Sequence, residues 1–466
     1  MTHSLLYFIV RAGNGVLAIA TLAVFTRLMS PLEYGVYGLG MAIAVAASGV
    51  LFQWINVAVG RFYLMHLDDP EQVMSFAAIG FLAATGVAAL ISFGALFFKF
   101  ISVEPATIGV VFLITVALGL HTFALQVANS QNAPGRYGML SWTKSAGALL
   151  AGLTLVHYGA GAQGALLGFL AGIMLALIAF GPKPWLRLKL SGVDTGLSMK
   201  MYRYGLPLTL NHLAIAVVDV ADRFMIGSLL GVAYVAPYAV AYDFIQLSVG
   251  PVMHIFFLSA YPTIVRVFET VGDESARNRL HVLGSRLVAV GLPAAAGIGV
   301  LAGDISDLVF GNDFKQEAAA LMPWLASAIF VGAFKSYFLD VVFQLRDATK
   351  YQGYVAVLMA MTNILLNFLL LPHFGVIAAA WSTLAAFAVG ALASWVIGKA
   401  VFKLPALSNV FFGSAAATAT MTMTLYLLPS ASGIISLSVK VAFGIVTYAV
   451  LAWSLGVFGC CRKLKS

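Results

Sequence analysis

The chain has 466 residues, 61% of them hydrophobic and only 9% charged, with a formal net charge of +8. Soluble domains carry about 25% charged residues, so a water-soluble globule is excluded. The short alternating segments of a membrane β-barrel are missing too, which leaves an all-α polytopic membrane protein.

A helix rising ~1.5 Å per residue needs ~20 apolar residues to cross a ~30 Å hydrocarbon layer. Fourteen such stretches are expected, at 4–26, 36–60, 74–98, 106–128, 138–158, 162–181, 204–230, 232–260, 281–302, 320–344, 352–371, 376–398, 408–428 and 434–458. No cation precedes the first, and Arg11 interrupts its apolar run, so it is expected to stay in the mature fold rather than leave as a signal peptide.

Orientation follows from the basic residues, which concentrate in cytosolic loops. The loops after even-numbered spans, with the tail, hold most of them, among them Arg61, Arg136, Arg187, Arg203, Arg277 and Lys350. The odd-numbered loops hold Arg27, Lys99, Arg223, Lys315 and Lys440, and one of them, "AGDISDLVFGNDFKQE", is acidic. Both termini are therefore expected in the cytosol. Because the positive charge is spread over many loops, it is a topology signal and no nucleic-acid partner is expected. The two cysteines, Cys460 and Cys461, read as small residues at the cytosolic interface, acylation being the other reading.

The chain also repeats itself. At an offset of 196, "TRLMSPLEYGVY" (26–37) lies on "DRFMIGSLLGVA" (222–233), matching Arg27 with Arg223, Met29 with Met225, Gly35 with Gly231 and Val36 with Val232. Further on, "HYG" at 157–159 recurs as "HFG" at 373–375. Each block contains six spans, an even number, so the repeats run parallel, and a functional site is expected between them near mid-membrane. The expected organisation is a six-helix lobe over 1–190, a second over 200–403, and spans 13 and 14 with a cytosolic tail over 404–466. Pro31 is expected to stop the first span and Gly35 to allow the tight re-entry.

Charges inside spans are expensive and usually face a cavity or a partner. Arg11 and Asn14 share a face of the first span, Gln53 and Asn56 one of the second, and Ser141, Lys144 and Ser145 one of the fifth. Arg11, Lys144 and Lys335 fall at similar depth in the cytosolic half, and with Arg61 they make a candidate basic cavity for an anionic headgroup. Snorkelling of each side chain to the inner headgroups is the other reading. Lys335 and Asp340, five residues apart, lie ~140° apart on an α-helix and are not expected to pair. Asp219, Asp222 and Asp243 are candidates for coupling to a proton or cation; the alternative for Asp222 is an ion pair with Arg27 or Arg223.

There is no G-x-x-x-x-G-K-[ST] loop, H-E-x-x-H, Cys/His metal cluster or G-x-S-x-G. Neither enzyme activity nor a metal or cofactor is expected, and transport would draw on a gradient, the membrane potential or substrate supply.

The elbow "FTRLMSPLEYGVYGLG", the opening of the second lobe "YRYGLPLTLNHLAIAVVDVADRFMIGSLLGVAYVAPYAVAYDF", the loop "YPTIVRVFETVGDES" and the turn "LVFGNDFKQEAAALMPWLA" resemble those of the oligosaccharide-lipid flippases. These form the polysaccharide transporter branch of the multidrug/oligosaccharidyl-lipid/polysaccharide (MOP) exporter superfamily. The resemblance runs over about residues 1–400. It implies two six-helix lobes around a central cavity that opens alternately to each side of a bacterial inner membrane. The implied cargo is a lipid-pyrophosphate-linked oligosaccharide, a precursor of O-antigen, capsule or exopolysaccharide, with membrane lipids and glycan polymerase or assembly proteins as partners. It also implies a cationic cavity, which Arg11, Lys144 and Lys335 would supply by position, with Arg61, Asn14 and Asn56 beside them. A cation-coupled multidrug exporter of the same superfamily is the alternative, kept open by Asp219, Asp243, Tyr238 and Tyr242. A membrane-bound glycan polymerase or acyltransferase is disfavoured by the short outer loops.

Overall fold

The computed structural model describes residues 2–63, 71–98, 104–182, 195–430 and 433–457; within its helices, the side chains of 2–9, 11–12, 98, 207–216 and 218–219 lie outside the described residues. The helices are α1 (Thr2–Leu28), α2 (Pro31–Phe62), α3 (Glu71–Phe98), α4 (Pro105–Ser130), α5 (Pro134–Leu155), α6 (Gly161–Phe180), α7 (Thr195–Leu229), α8 (Val235–Thr270), α9 (Asp273–Val300), α10 (Ala302–Val309), α11 (Lys315–Phe334), α12 (Val341–Leu345), α13 (Lys350–Phe374), α14 (Ile377–Val401), α15 (Ser408–Leu427) and α16 (Ile434–Ser454). No strand occurs among the described residues. Each expected span overlaps one or more of these helices, and eleven described helical stretches are long and apolar enough to cross a membrane, with Pro134–Phe180, which kinks at Gly159, counted as one.

The chain divides into two compact units, Met1–Ala236 and Pro237–Ser466. In the first, α2 is the centre, packed against α3, α4, α6 and α7. The start of α2 explains the elbow in the sequence. Ser30 caps the helix, its hydroxyl accepting from Glu33 N–H while the Glu33 carboxylate accepts from Ser30 N–H, with Pro31 at the first helical position. That reciprocal box satisfies two donors that would otherwise be stranded. Gly35, expected to provide the re-entry, instead lies inside α2. Its role is close approach, because a Cβ there would stand 2.0 Å from the carbonyl oxygen of Val232. The two sequence segments that match at offset 196 thus touch, and Arg223 Nη1 donates to Gly38 O at 3.2 Å. Arg223 was expected in a loop; it is helical and buried.

Helices α5 and α6 are joined by a π turn, Val156–Ala160, and pressed together by small residues. A Cβ on Gly168 would stand 2.3 Å from Gly152 Cα, and one on Gly172 would stand 2.4 Å from Lys144 O. Without a hydrophobic drive between helices in lipid, such small-residue seams supply the van der Waals contact.

In the second unit, α9, α11 and α14 form the core, α13 lies along α14 and α15 along α9. The glycines of the two related motifs share a conformation: Gly159 in "HYG" has φ +87° and Gly375 in "HFG" has φ +66°, a region that L side chains enter only with strain. The acidic segment expected as a loop contains a helix, α10. Its Asp304 pairs with Lys440 of α16 at 2.6 Å, both side chains largely buried. Lys440 is therefore not a loop residue. Tyr448 Oη also donates to Ala289 O at 2.6 Å. Span 14 is thus fastened by two polar contacts, and span 13 packs along α9 and α16.

Candidate functional site

Lys144 is the eleventh of the 22 residues of α5, so it sits roughly 15 Å along the axis from either end. Its ammonium stands 5.6 Å from the centroid of the Phe169 ring on α6, a cation–π contact. No carboxylate lies within ion-pair distance of it among the described residues. The neighbouring groups fix its place: Ser145 Oγ donates to Asn14 Oδ1 of α1 at 3.1 Å, and Trp142 Nε1 donates to Val10 O at 3.1 Å. The Arg11 side chain lies outside the described residues. His121, which the sequence did not single out, is buried on α4 with Nε2 3.2 Å from Leu140 O, one turn before Lys144. Its depth in an apolar span was the available signal.

On α2, Asn56 is 1% exposed and neither Nδ2 nor Oδ1 has a hydrogen-bond partner. At the end of the same helix Arg61 is exposed, its guanidinium 4.4 Å above the Tyr204 ring of α7. Asp222 is buried beside Arg223. Arg27 Nη1 donates to Ala23 O of its own helix at 2.7 Å. The Asp219 side chain lies outside the described residues.

The second unit treats its lysine differently. Lys335 Nζ is 2.7 Å from Asp340 Oδ2, both residues buried. Asp340 Oδ1 accepts from Ser394 Oγ at 2.7 Å, and its backbone carbonyl accepts from Gln352 Nε2 at 3.1 Å. The expectation that Lys335 and Asp340 do not pair is overturned. Residues 335–339 form a π turn, with Asp340 N–H donating to Lys335 O, and that wider winding stacks residues five apart. Lys335 is thereby neutralised within its own unit. Asp243 is half-buried on α8, next to Tyr242, whose ring stacks on Tyr238 at 5.9 Å. His254 stacks on Tyr337 at 5.5 Å.

In the first unit Lys144 thus stands at the middle of α5 with no carboxylate within ion-pair distance among the described residues and with hydroxyl and amide groups nearby. A family model described as "Polysaccharide biosynthesis protein" matches residues 24–319. Among solved structures, the chain is similar to one described as "Lipid II flippase MurJ, inward closed conformation", at 15% identity, 97% of this chain and 99% of that chain covered, and a TM-score of 0.76. It is similar also to an "Inward-facing conformation of a multidrug resistance MATE family transporter of the MOP superfamily", at 13% identity, covering 84% of this chain and 97% of that chain, TM-score 0.67. These likenesses are of fold. No curated protein sequence matches the chain.

Proposed function

The chain belongs to the polysaccharide biosynthesis protein family, and we propose that it moves a lipid-pyrophosphate-linked oligosaccharide from the cytosolic to the outer leaflet of a bacterial inner membrane by alternating access. The observation that carries this reading is Lys144, an ammonium at the middle of α5 facing an aromatic ring with no carboxylate partner among the described residues. A charge at that depth is retained where it meets a counter-charge or a water-filled cavity. A pyrophosphate supplies the counter-charge, and the isoprenoid tail stays in the lipid.

In this reading Lys144 holds the pyrophosphate with Arg11, and Asn14 and Ser145 orient it. Arg61, held over Tyr204, meets the anion at the cytosolic mouth. Lys335 is excluded from direct anion contact because Asp340 already neutralises it. The reading includes fourteen crossings, cytosolic termini and lobes over 1–190 and 200–403, with spans 13 and 14 beyond them and glycan polymerase or assembly proteins as downstream partners.

The test is the leaflet distribution of the lipid-linked glycan in cells lacking this protein, probed on spheroplasts with a membrane-impermeant glycosidase or lectin. Accumulation facing the cytosol, with loss of surface polysaccharide, is expected; an unchanged distribution sinks the proposal. A second reading, cation-coupled drug export, is favoured by the stacked Tyr238 and Tyr242 beside Asp243, with Asp219 and Asp222 as further candidates for coupling. It requires the deletion strain to become sensitive to cationic drugs.

A further inference from the structure

Pro293 lies buried inside α9. Proline has no amide hydrogen, so the carbonyl four residues before it, that of Ala289, loses its helical donor. In lipid no water stands ready to replace that donor. The replacement comes from another helix: Tyr448 Oη of α16 donates to Ala289 O at 2.6 Å. Pro251 and Pro262 of α8, Pro323 of α11 and Pro372 of α13 also lie inside helices. Among the described residues, no side chain of another helix donates to the carbonyls they free, those of Leu247, Leu258, Ala319 and Phe368.

The bond belongs to a narrow contact. The buried residues of α16 are Lys440, Gly444, Tyr448 and Ala452, spaced by four on one face, while Phe443, Ile445, Val446 and Val450 between them are exposed. Two of the four buried residues make polar bonds, and these grip the chain on either side of the proline. Tyr448 holds Ala289 before it. Lys440 holds Asp304 of α10, beyond the end of α9 at Val300, in an ion pair of 2.6 Å. The stretch between the two grips also contains Gly297 and Gly299, and glycine holds a helix poorly. A helix that lacks one bond at a proline and carries glycines beyond it is prone to bend there.

We propose that α16 is a splint across a proline hinge in α9. The Tyr448 hydroxyl stands in for the amide that Pro293 lacks, and with Lys440 it keeps the segment from Pro293 to Asp304 in line with the rest of the helix. When the hydroxyl lets go, Ala289 O is left without a donor and that segment is free to swing about Pro293. The contact is suited to release, because at the hinge it consists of one side-chain hydrogen bond, made by a helix that buries a single face. A tyrosine that merely packed would be served by any polar neighbour; this one reaches the carbonyl that the proline frees. The inference concerns the second unit alone and holds whichever cargo the protein carries.

The test is hydrogen exchange on the full-length protein in lipid nanodiscs, read by mass spectrometry over peptides that cover α9 and α10. Tyr448→Phe removes one oxygen and keeps the ring. It is expected to speed exchange of the amides between Ala294 and Asp304 about tenfold, the counterpart of roughly one hydrogen bond, and to leave those between Ala276 and Val288 unchanged. Pro293→Ala returns an amide to Ala289 O, so in that background Tyr448→Phe is expected to lose most of its effect. Two results overturn the splint. One is exchange that ignores Tyr448→Phe; the other is a Tyr448→Phe effect of the same size with and without Pro293, the mark of a general packing contact. A double-mutant cycle of the same two substitutions on Tm reads the same coupling where exchange within the span is too slow to follow, and additive shifts there overturn the proposal equally.

Discussion

Lys335 and Asp340, five residues apart in sequence, form a buried ion pair of 2.7 Å across a π turn, and Ser394 of α14 donates to the second carboxylate oxygen. The arrangement joins α11, α12 and α14 through one carboxylate. Asp340→Asn would leave a buried ammonium without its counter-charge, a loss of about 3–5 kcal/mol. A melt of the purified protein in detergent should register it as a large fall in Tm. The double replacement Lys335→Met with Asp340→Leu is expected to recover most of the loss, because a matched apolar pair removes both desolvation costs.

Lys144 has no such partner among the described residues, and its replacement is expected to affect function rather than folding. Lys144→Gln is expected to leave the melt within about 1 kcal/mol of wild type, as the ammonium gives up mainly a cation–π contact. Surface polysaccharide in a complemented deletion strain should fall at least about tenfold, the counterpart of ~1.4 kcal/mol in binding. Export intact in the Lys144→Gln, Arg11→Gln double variant would remove both residues from the anion site.

The α5–α6 seam makes a prediction about packing. Gly168→Leu drives a side chain into backbone 2.3 Å from where its Cβ would begin. Overpacking of this kind costs about 1–3 kcal/mol, and since Lys144 O lines the same seam, binding of farnesyl pyrophosphate, an isoprenyl anion, should weaken with it. Gly159→Leu, at the exposed turn where nothing crowds the new Cβ, is expected to show only the ~1–2 kcal/mol of left-handed backbone strain and no binding change.

Lys440 and Asp304 make a prediction about α16. In a double-mutant cycle of Lys440→Met and Asp304→Leu, the coupling energy of a directly contacting pair should lie at about 0.5–3 kcal/mol. A coupling near zero would mean that α16 is held by its apolar face and by the Tyr448–Ala289 hydrogen bond.

Much of this molecule was legible before any coordinate. Composition excluded a soluble fold because 9% charge is too little to solvate one, and hydropathy located the spans because a bilayer demands ~20 apolar residues in a row. The paired glycines of "HYG" and "HFG" were visible as a repeat, and both take positive φ. The capping box at Ser30 and Glu33 could also have been read, since serine before proline with glutamate three residues on is a helix-start pattern. These are local properties, set by a few neighbouring residues and the solvent.

What only the tertiary structure decided depended on winding and on contacts distant in sequence. A helical wheel assumes 3.6 residues per turn, so it separated Lys335 from Asp340, and the π turn that unites them is a departure no wheel contains. Gly35 read as a turn because glycine permits turns; the carbonyl of Val232, 197 positions later, makes it a packing glycine. Lys440 counted as a loop charge until Asp304, 136 residues before it, proved to be its partner. One sequence gives the faces of a helix but not their rotation, and in a membrane that rotation decides whether a lysine meets a carboxylate, as Lys335 does, or stands against an aromatic ring, as Lys144 does.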